Sequence, residues 1–358
     1  MAERDLDPDR MKETIRLVYG TMQGALTAAM LHLGDRLGLF RELDIGGPAT
    51  SAELAERTGL SERWLREWLR QQGAAGILEF DADERFTLGA EGAAVLADED
   101  HPAFAGGVFS QLPSTMAVLE RLPEAFQTGL GLPYDAFGAE GARGVERGFA
   151  PWYRNFLVPV AIPRLEGVQK RLEAGASVAD VGCGGGVALL LLAEAFPASR
   201  FRGYDVSGHA LERAEQNCRE AGLDNVTFHD PRAEPLPKDG SVDLVLTFDC
   251  LHDMTQPAEV TAAIYAALAK DGVWLIADIK AHDTFHANAE ENPMAAMMYG
   301  FSVMSCMSSA LSEPGGAGLG TLGFPETVAK EMTERAGFTR FRALDLGHPI
   351  NAFYEVRR

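Results

Sequence analysis

Cysteine is scarce in this sequence: the 358 residues include four, Cys183, Cys218, Cys250 and Cys306. No two of them have the spacing of a zinc ribbon or of a CxxC pair, which argues against a disulfide-stapled or zinc-stapled fold. Isolated thiols of this kind are typical of a reducing compartment. We therefore expect a cytoplasmic protein.

The sequence also lacks an excess of basic residues. It has 32 Lys and Arg against 52 Asp and Glu, a formal net charge of −20. Such a chain repels the phosphates of nucleic acids and of anionic lipids unless it carries a local basic patch. The basic pieces at 340–342 and 357–358 are short, so we expect neither a nucleic-acid partner nor a membrane partner.

No apolar run is long enough to cross a bilayer. The most apolar stretch, residues 188–196, is short and contains Glu194. Residues 1–7 are polar and lack the basic-then-apolar order of a signal peptide. With 46% hydrophobic residues, the chain can nevertheless form a buried core, and its length predicts two domains or one large domain with an appendage.

The first hundred residues have the pattern of a winged helix. Periodic apolar residues predict a helix over about 11–39, and residues 49–70 have helix-turn-helix spacing, with a turn at Gly59. Residues 77–80 and 85–88 flank a polar turn and predict the hairpin of a wing. We assign 1–100 to a winged-helix-like domain and 101–175 to a helical connector.

A winged helix has two interpretations. It binds DNA in some proteins, and in others it serves for dimerisation or covers a substrate pocket. Here Glu53, Glu56, Glu62, Glu67 and Glu79 surround the motif, and phosphate contacts dominate DNA affinity. We therefore favour the second interpretation and consider a homodimer.

Strands and helices alternate from residue 176 onward, which indicates a parallel sheet covered on both faces. The predicted strands are 178–181, 201–205, 226–229, 242–248, 273–279, 340–344 and 353–356. The predicted helices are 187–196, 210–221, 257–269 and 325–336. This is an α/β, Rossmann-like, doubly wound sheet of seven strands over 176–358, and we expect one of its last two strands to be antiparallel at the edge.

A glycine-rich loop follows the first of these strands and opens a helix. It contains Asp180, Gly182, Gly184 and Gly186, and glycines there allow a ligand to approach the backbone closely. Asp205 ends the next strand, where a carboxylate can accept hydrogen bonds from a ribose diol. Together these features predict a nucleotide-type cofactor.

The loop departs from the dinucleotide fingerprint. In G-x-G-x-x-G/A, the last position is Gly or Ala, whereas here it is Val187. Asp180 would also place a negative charge near a pyrophosphate, whereas it suits a cofactor that carries an ammonium and a sulfonium. An NAD-dependent oxidoreductase is therefore disfavoured.

At these positions the sequence resembles class I S-adenosyl-L-methionine (SAM)-dependent methyltransferases over residues 176–358. It is also similar over nearly its full length to a bacterial subfamily with an N-terminal winged helix, on the segment 248–253 (FDCLHD) and on Cys306-Met307 with the Gly-rich stretch 315–320. The resemblance implies SAM as cofactor and S-adenosyl-L-homocysteine as product. It places the segment after the third strand beside adenine and the end of the fourth strand beside the methionine moiety. The predicted cofactor-binding residues are Asp180, Gly182, Cys183, Gly184, Asp205, Val206, Asp230, Pro231, Phe248 and Asp249.

The candidate catalytic residues, His252 and Asp253, follow the fourth strand. Methyl transfer is an in-line displacement, and a hydroxyl acceptor must lose its proton. Histidine has a suitable pKa for this task, and Asp249 or Asp253 would orient it. The alternative is that His252 only shapes the pocket.

Residues 281–324 form an insertion rich in methionine. Its thioether and aromatic groups suit an apolar small-molecule pocket or an ordinary packed helix, and we select Tyr299, Met304 and Cys306 as pocket residues. The stretch 315–320 is either a lid hinge or a plain loop. His282 and His286 would share one face of a helix, but no third ligand is evident, and we expect no metal site.

The sequence thus predicts SAM-dependent methylation of a small molecule, with oxygen favoured as the acceptor atom. Nitrogen or sulfur methylation stays open. A SAM-sensing winged-helix transcription regulator without catalysis is the non-enzyme alternative.

Overall fold

A computed structural model describes residues 6–358. Residues 1–5, which belong to the predicted winged-helix domain and to the segment without a signal-peptide pattern, lie outside the described residues. The chain divides into a first unit that ends at Leu112 and a second unit from Pro113 to Arg358. The helices over 113–174, which the sequence suggests as a connector, belong to the second unit.

In the part of the chain that the structure describes, no helix combines the length and the apolar character needed to span a membrane.

The first unit contains a winged helix-turn-helix. Its elements are α1 (Pro8–Arg36), α2 (Leu39–Gly46), α3 (Ser51–Thr58), α4 (Glu62–Ala74), β1 (Glu79–Phe80), β2 (Phe86–Thr87), α5 (Ala90–Leu96) and α6 (Gly106–Ser110). The strands β1 and β2 pair antiparallel, as the wing requires.

Local chemistry explains the helix-turn-helix. Thr50 and Glu53 form a reciprocal capping box at the start of α3, and Gly59 ends that helix in the left-handed conformation. Leu54, Leu65 and Leu69 are buried at the centre of the motif. The predicted order of helix, turn, helix and hairpin is therefore present.

The second unit is built on a seven-stranded sheet. Its strands are β3 (Ser177–Val181), β4 (Arg200–Tyr204), β5 (Val226–His229), β6 (Val242–Phe248), β7 (Leu268–Ile279), β8 (Arg340–Leu344) and β9 (Asn351–Arg357). They lie in the order β5-β4-β3-β6-β7-β9-β8. The strand order reverses between β3 and β6, which is where ligands bind in open α/β sheets.

The antiparallel strand is not at the edge, contrary to the sequence prediction. Strand β9 pairs antiparallel with β7 on one side and with β8 on the other, so β8 occupies the edge and runs parallel to β7. The short connection between β8 and β9 favours a hairpin, and the longer strand β9 takes the inner position.

Helices precede the first strand of the second unit and connect many of its strands. The α-helices are α7 (Leu112–Ala117, which spans the unit boundary), α8 (Leu122–Thr128), α9 (Gly138–Trp152), α10 (Ile162–Arg164), α11 (Val168–Ala174), α12 (Val187–Ala195), α13 (Gly208–Ala221), α14 (Pro257–Ala267), α15 (Phe285–Glu291), α16 (Ala295–Phe301), α17 (Met307–Ala310) and α18 (Glu326–Ala336). Short 3₁₀ helices cover Leu119–Arg121, Tyr134–Phe137 and Leu251–Asp253, and π-helical segments cover Tyr153–Ala161 and Ser302–Cys306.

Alternating residues of the strands enter two separate cores. Val178 and Leu244 belong to a cluster that includes Leu157 of the π-helical segment, whereas Ala179 and Val245 belong to a cluster on the other face. Because both faces are covered, the central strands are almost continuously apolar. Because β3, β4, β6 and β7 are parallel, their carboxyl ends lie at the same edge of the sheet.

Candidate functional site

Three glycines shape the loop between β3 and α12, and each adopts the left-handed conformation, with φ of 79° at Gly182, 54° at Gly184 and 76° at Gly186. A Cβ at Gly182 would lie 2.7 Å from Cys250 Cβ, and one at Gly186 would lie 2.7 Å from a Phe228 ring atom. At Gly184, a Cβ would meet no atom within 4 Å. Gly182 and Gly186 therefore permit packing, whereas Gly184 leaves open space for a ligand.

Asp205 is held rigidly at the end of β4. Its Oδ2 accepts a hydrogen bond from the Gly184 amide and its Oδ1 one from the Ser207 amide, both at 2.8 Å. Burial raises the pKa of Asp205, and these two amides oppose the rise. Each oxygen keeps a further lone pair, so the carboxylate can still bind a diol. Val206 follows it and is exposed.

Asp180 provides an unmatched acceptor beneath the loop. It is 2% exposed, and its Oδ1 has no hydrogen-bond partner among residues 6–358. Burial, with a smaller contribution from Asp205, raises its pKa to about 8. A cation bound nearby would favour the carboxylate form. The loop, Asp205 and Asp180 together fit a nucleoside that carries a positively charged group.

Asp230 and Pro231 lie in the loop after β5, beside the end of β4. Arg232 Nη2 contacts Asp230 Oδ2 at 2.7 Å and donates to the Val206 carbonyl at 2.7 Å. The predicted adenine-side residues are thus tied to the segment that follows Asp205.

Asp249 has an unusual backbone. Its φ is 49°, in the left-handed region that non-glycine residues rarely adopt. Its amide donates to the Ala277 carbonyl at 2.9 Å, and its Oδ1 accepts from the Asn351 side chain. Burial raises the pKa of Asp249 well above its usual range. Asp249 is therefore held by β7 and β9, beside Phe248, and is not bonded to His252.

Asp278 is the carboxylate that orients His252, which corrects the prediction that Asp249 or Asp253 does so. His252 is 3% exposed, and its Nδ1 lies 2.6 Å from Asp278 Oδ1. Burial opposes the charged imidazole, but Asp278 and Cys306 outweigh it and hold the pKa of His252 well above its usual value. With Nδ1 bonded to Asp278, Nε2 is left for other partners.

Asp253 lies at the end of the same 3₁₀ helix, but it makes no hydrogen bond to His252 among the described residues. Burial raises its pKa to about 7, and His252 partly offsets the rise. It is therefore a second group near the site that can exchange protons at neutral pH.

Of the three pocket residues predicted in the insertion 281–324, one interacts with the imidazole of His252. Cys306, at the end of the π-helical segment, interacts with His252 through its thiol, and that segment packs against the 3₁₀ helix that carries His252. Met304 lies in the same π-helical segment. Tyr299 instead packs with Met298 and Leu322 in a separate cluster.

The Gly-rich stretch is anchored to this region. The Gly320 amide donates to the His252 carbonyl at 3.0 Å, and the Ala317 amide donates to the Thr255 carbonyl at 2.9 Å. His282 precedes α15, whereas His286 lies within it, so helical spacing does not place them on one face. Within residues 6–358, no three His, Cys, Asp or Glu side chains are grouped closely enough to hold a metal ion.

Two tyrosines from the segment 113–174 were missed by reasoning from the sequence. Tyr153 begins a π-helical segment and interacts electrostatically with Asp180 and Asp249, whereas Tyr134 interacts electrostatically with Asp253 and Cys306. Burial raises the pKa of both tyrosines well above its usual value. Neither residue belongs to a recognisable motif, so only the fold reveals them.

The chain matches two known families in different regions. Residues 172–337 match the family described as "Methyltransferase domain", and residues 25–98 match the "Rv2258c-like winged HTH domain". These ranges lie in the second and first units respectively.

Similar proteins extend over most of the chain. The mitomycin biosynthesis 6-O-methyltransferase of Streptomyces lavendulae is 28% identical over 286 residues, which cover 73% of this chain and 76% of that protein. The structure of the mitomycin 7-O-methyltransferase MmcR has a TM-score of 0.68 at 20% identity and covers 98% of this chain and 100% of its own. Human N-acetylserotonin methyltransferase in complex with SAM has a TM-score of 0.70 at 16% identity and covers 99% of each chain. These two structures share the fold of this chain.

Proposed function

Because this chain is a SAM-dependent methyltransferase with the class I fold and an N-terminal winged helix-turn-helix domain, we propose that it methylates a hydroxyl group of a small molecule. The observation that carries the proposal is the buried His252–Asp278 pair at the carboxyl ends of β6 and β7. A hydroxyl needs a base to become a good nucleophile, and this pair provides one.

His252 acts as the general base. Its Nδ1 stays bonded to Asp278, and Nε2 accepts the acceptor's proton as the oxygen–methyl bond forms. Bound SAM supplies an electrophilic methyl group on its sulfonium sulfur. The proton on His252 is shared with the Asp278 carboxylate, which stabilises the imidazolium.

The cofactor residues divide the remaining work. Asp205 binds the ribose hydroxyls, Asp180 faces the ammonium, and Gly184 provides close backbone approach. Asp230 and Pro231 flank the adenine, and Phe248 and Asp249 border the methionine moiety. Cys306, Met304 and Tyr134 line the acceptor side, and Tyr299 supports it through its own cluster.

The experiment is a matched acceptor panel. Phenol-type compounds are offered with SAM beside analogues in which the hydroxyl is replaced by an amine or a thiol. The release of S-adenosyl-L-homocysteine and the mass gain of each compound are measured. We expect turnover with the hydroxyl compounds that depends on His252. Turnover of only the amines or thiols would replace the proposal with N- or S-methylation, and SAM binding with no turnover of any panel would favour a sensor.

Ion pairing in the first unit supports a role other than DNA binding, and we extend the proposal to a cytoplasmic enzyme without a nucleic-acid partner. Four arginines of α4 and the wing are matched by glutamates. The pairs are Arg63–Glu67, Arg66–Glu62, Arg70–Glu84 and Arg85–Glu53. Arginines neutralised in this way are poor phosphate contacts.

The exposed part of α1 supports a homodimer. Residues 6–26 are all exposed, and Met11, Ile15, Val18 and Met22 follow one another at the four- and three-residue spacing of a helix–helix seam. In proteins, a helix is stabilised mainly by packing of its apolar face, and none of residues 6–26 is buried within the described chain. A second copy offers an identical seam at equal concentration.

Sedimentation equilibrium tests the dimer. Val18→Glu places a charge in the seam and is expected to give a monomer, whereas Arg16→Glu, away from the seam, leaves the dimer intact. A monomeric wild type would refute this part of the proposal.

A further inference from the structure

The amino-acid end of SAM carries two opposite charges, and the site so far accounts for only one. Asp180 and Asp249 are acids near the glycine loop, and they suit the ammonium. The methionine carboxylate requires hydrogen-bond donors instead, because anions next to buried carboxylates are otherwise repelled.

The glycine loop offers few free donors for this carboxylate. The Gly182 and Cys183 amides donate to the Tyr204 carbonyl at 2.8 and 3.1 Å, and the Gly186 amide donates to the Cys183 carbonyl at 2.9 Å. The Gly184 amide donates to Asp205 at 2.8 Å. Since these amides are already used within the protein, a side chain is the better source of a donor.

Tyr153 has the right location. Its ring centroid lies 5.6 Å from that of Phe248, at the end of β6, and 5.1 Å from that of Trp152. The titratable side chains whose electrostatics act on Tyr153 are Asp180 and Asp249 first, followed by Cys250 and Cys183. It therefore stands between the glycine loop and the segment after β6, where the amino-acid end of the cofactor extends from the ribose.

The Tyr153 hydroxyl is also free to donate. It makes no hydrogen bond to residues 6–358, and it is not among their fully enclosed, unpartnered side-chain atoms. The residue is half-buried, so the hydroxyl is open to a ligand. Burial raises the pKa of Tyr153 well above its usual value, which keeps the phenol neutral and able to donate.

We propose that the Tyr153 hydroxyl donates a hydrogen bond to the carboxylate of the methionine moiety of SAM. The aromatic contacts with Phe248 and Trp152 fix the ring, and a neutral donor tolerates the neighbouring acids better than a cation that would pair with them. This inference depends on the cofactor and is independent of the acceptor atom.

The test compares two ligands that differ by the carboxylate alone. Calorimetry measures the affinity of SAM and of decarboxylated SAM for the wild type, for Tyr153→Phe and for the control Tyr265→Phe. Tyr265 lies on α14, and its ring packs against Phe338. We expect Tyr153→Phe to weaken SAM about 10-fold or more, as for a hydrogen bond to a charged group, and to leave decarboxylated SAM within about twofold of the wild type. Tyr265→Phe changes neither affinity.

If Tyr153→Phe lowered the affinity for SAM and for decarboxylated SAM equally, the ring would pack against the cofactor without a hydrogen bond to its carboxylate. That result would overturn the proposal. Unchanged SAM affinity would overturn it as well. Thermal melting of each variant without ligand verifies that it is folded. No acceptor is present, so failure here is distinct from failure of the proposed O-methylation.

Discussion

The two sides of the site are built differently. On the cofactor side, Asp180, the glycines and Asp205 come from one β-α-β stretch, in which the Asp205 carboxylate accepts a hydrogen bond from the Gly184 amide. On the acceptor side, His252, Asp278 and Cys306 come from three separate elements and meet through their side chains. The comparison indicates that the glycine loop and its ribose-binding acid are specified locally, whereas the catalytic group depends on long-range packing.

The sharpest separation is expected from His252→Ala. Loss of the general base lowers kcat by about 100-fold or more, while SAM affinity is nearly unchanged because the cofactor side is intact. Turnover and calorimetry are measured together, with His101→Ala in the first unit as control. A large loss of SAM affinity would show that the two sides are not independent.

Asp278→Asn is expected to act through His252, with a fall in kcat that is smaller than the loss of about 100-fold or more expected when the base itself is removed. The Asp278 carboxylate raises the pKa of His252, and only the neutral imidazole can act as a base. The kcat of the wild type should therefore increase with pH, with a midpoint above 6.5, the ordinary pKa of histidine. Without that charge, burial dominates and the midpoint moves to lower pH. The pH dependence of kcat checks this, and an unmoved midpoint would assign the titration to another group, such as Asp253.

Asp205→Ala is expected to produce the reverse pattern. Two ribose hydrogen bonds to a charged group are lost, and SAM affinity falls by about 10-fold or more, whereas kcat at saturating SAM changes little. Calorimetry and saturation kinetics measure the two effects. A drop in kcat with unchanged affinity would contradict the assignment of Asp205 to the cofactor side.

Asp180→Asn should give the smallest effect, a pH-dependent gain in stability without ligand. The pKa of Asp180 is about 8 in the folded chain against an ordinary 3.8. The folded state therefore binds the Asp180 proton more tightly than the unfolded state does. The protonated side chain contributes its full stability below the unfolded pKa of 3.8, and this contribution is lost as pH rises toward the folded pKa of about 8. Asparagine cannot ionise, so the Tm of the variant should exceed that of the wild type increasingly from pH 5 to 8.

Calorimetric scans at both pH values provide the measurement, and SAM affinity should be lower in the variant. A Tm difference that does not change with pH would mean that Asp180 does not titrate in this range.

Much of the fold was predictable because its signals are local. The bounds of β5, β6 and β8 agree with the prediction, since each is a short run bounded by turn residues. The place of β9 was not predictable, because hydrophobic pattern does not specify which of two neighbouring strands lies inside. The roles of Asp278 and Tyr153 were not predictable either, because neither residue belongs to a local motif. In the sequence, Asp278 is one residue of a predicted strand and Tyr153 is one residue of the predicted connector.

The sequence by itself determined the cofactor loop, its acidic partner Asp205 and the alternation of strands and helices, because backbone conformation and amphipathic periodicity are properties of nearby residues. Only the tertiary structure decided which carboxylate meets His252. Parallel pairing opposes Phe248 to Ala277, so the residues just beyond them, Asp249 and Asp278, reach the same end of the sheet. That register depends on packing across the whole unit, and it assigned the orienting role to Asp278.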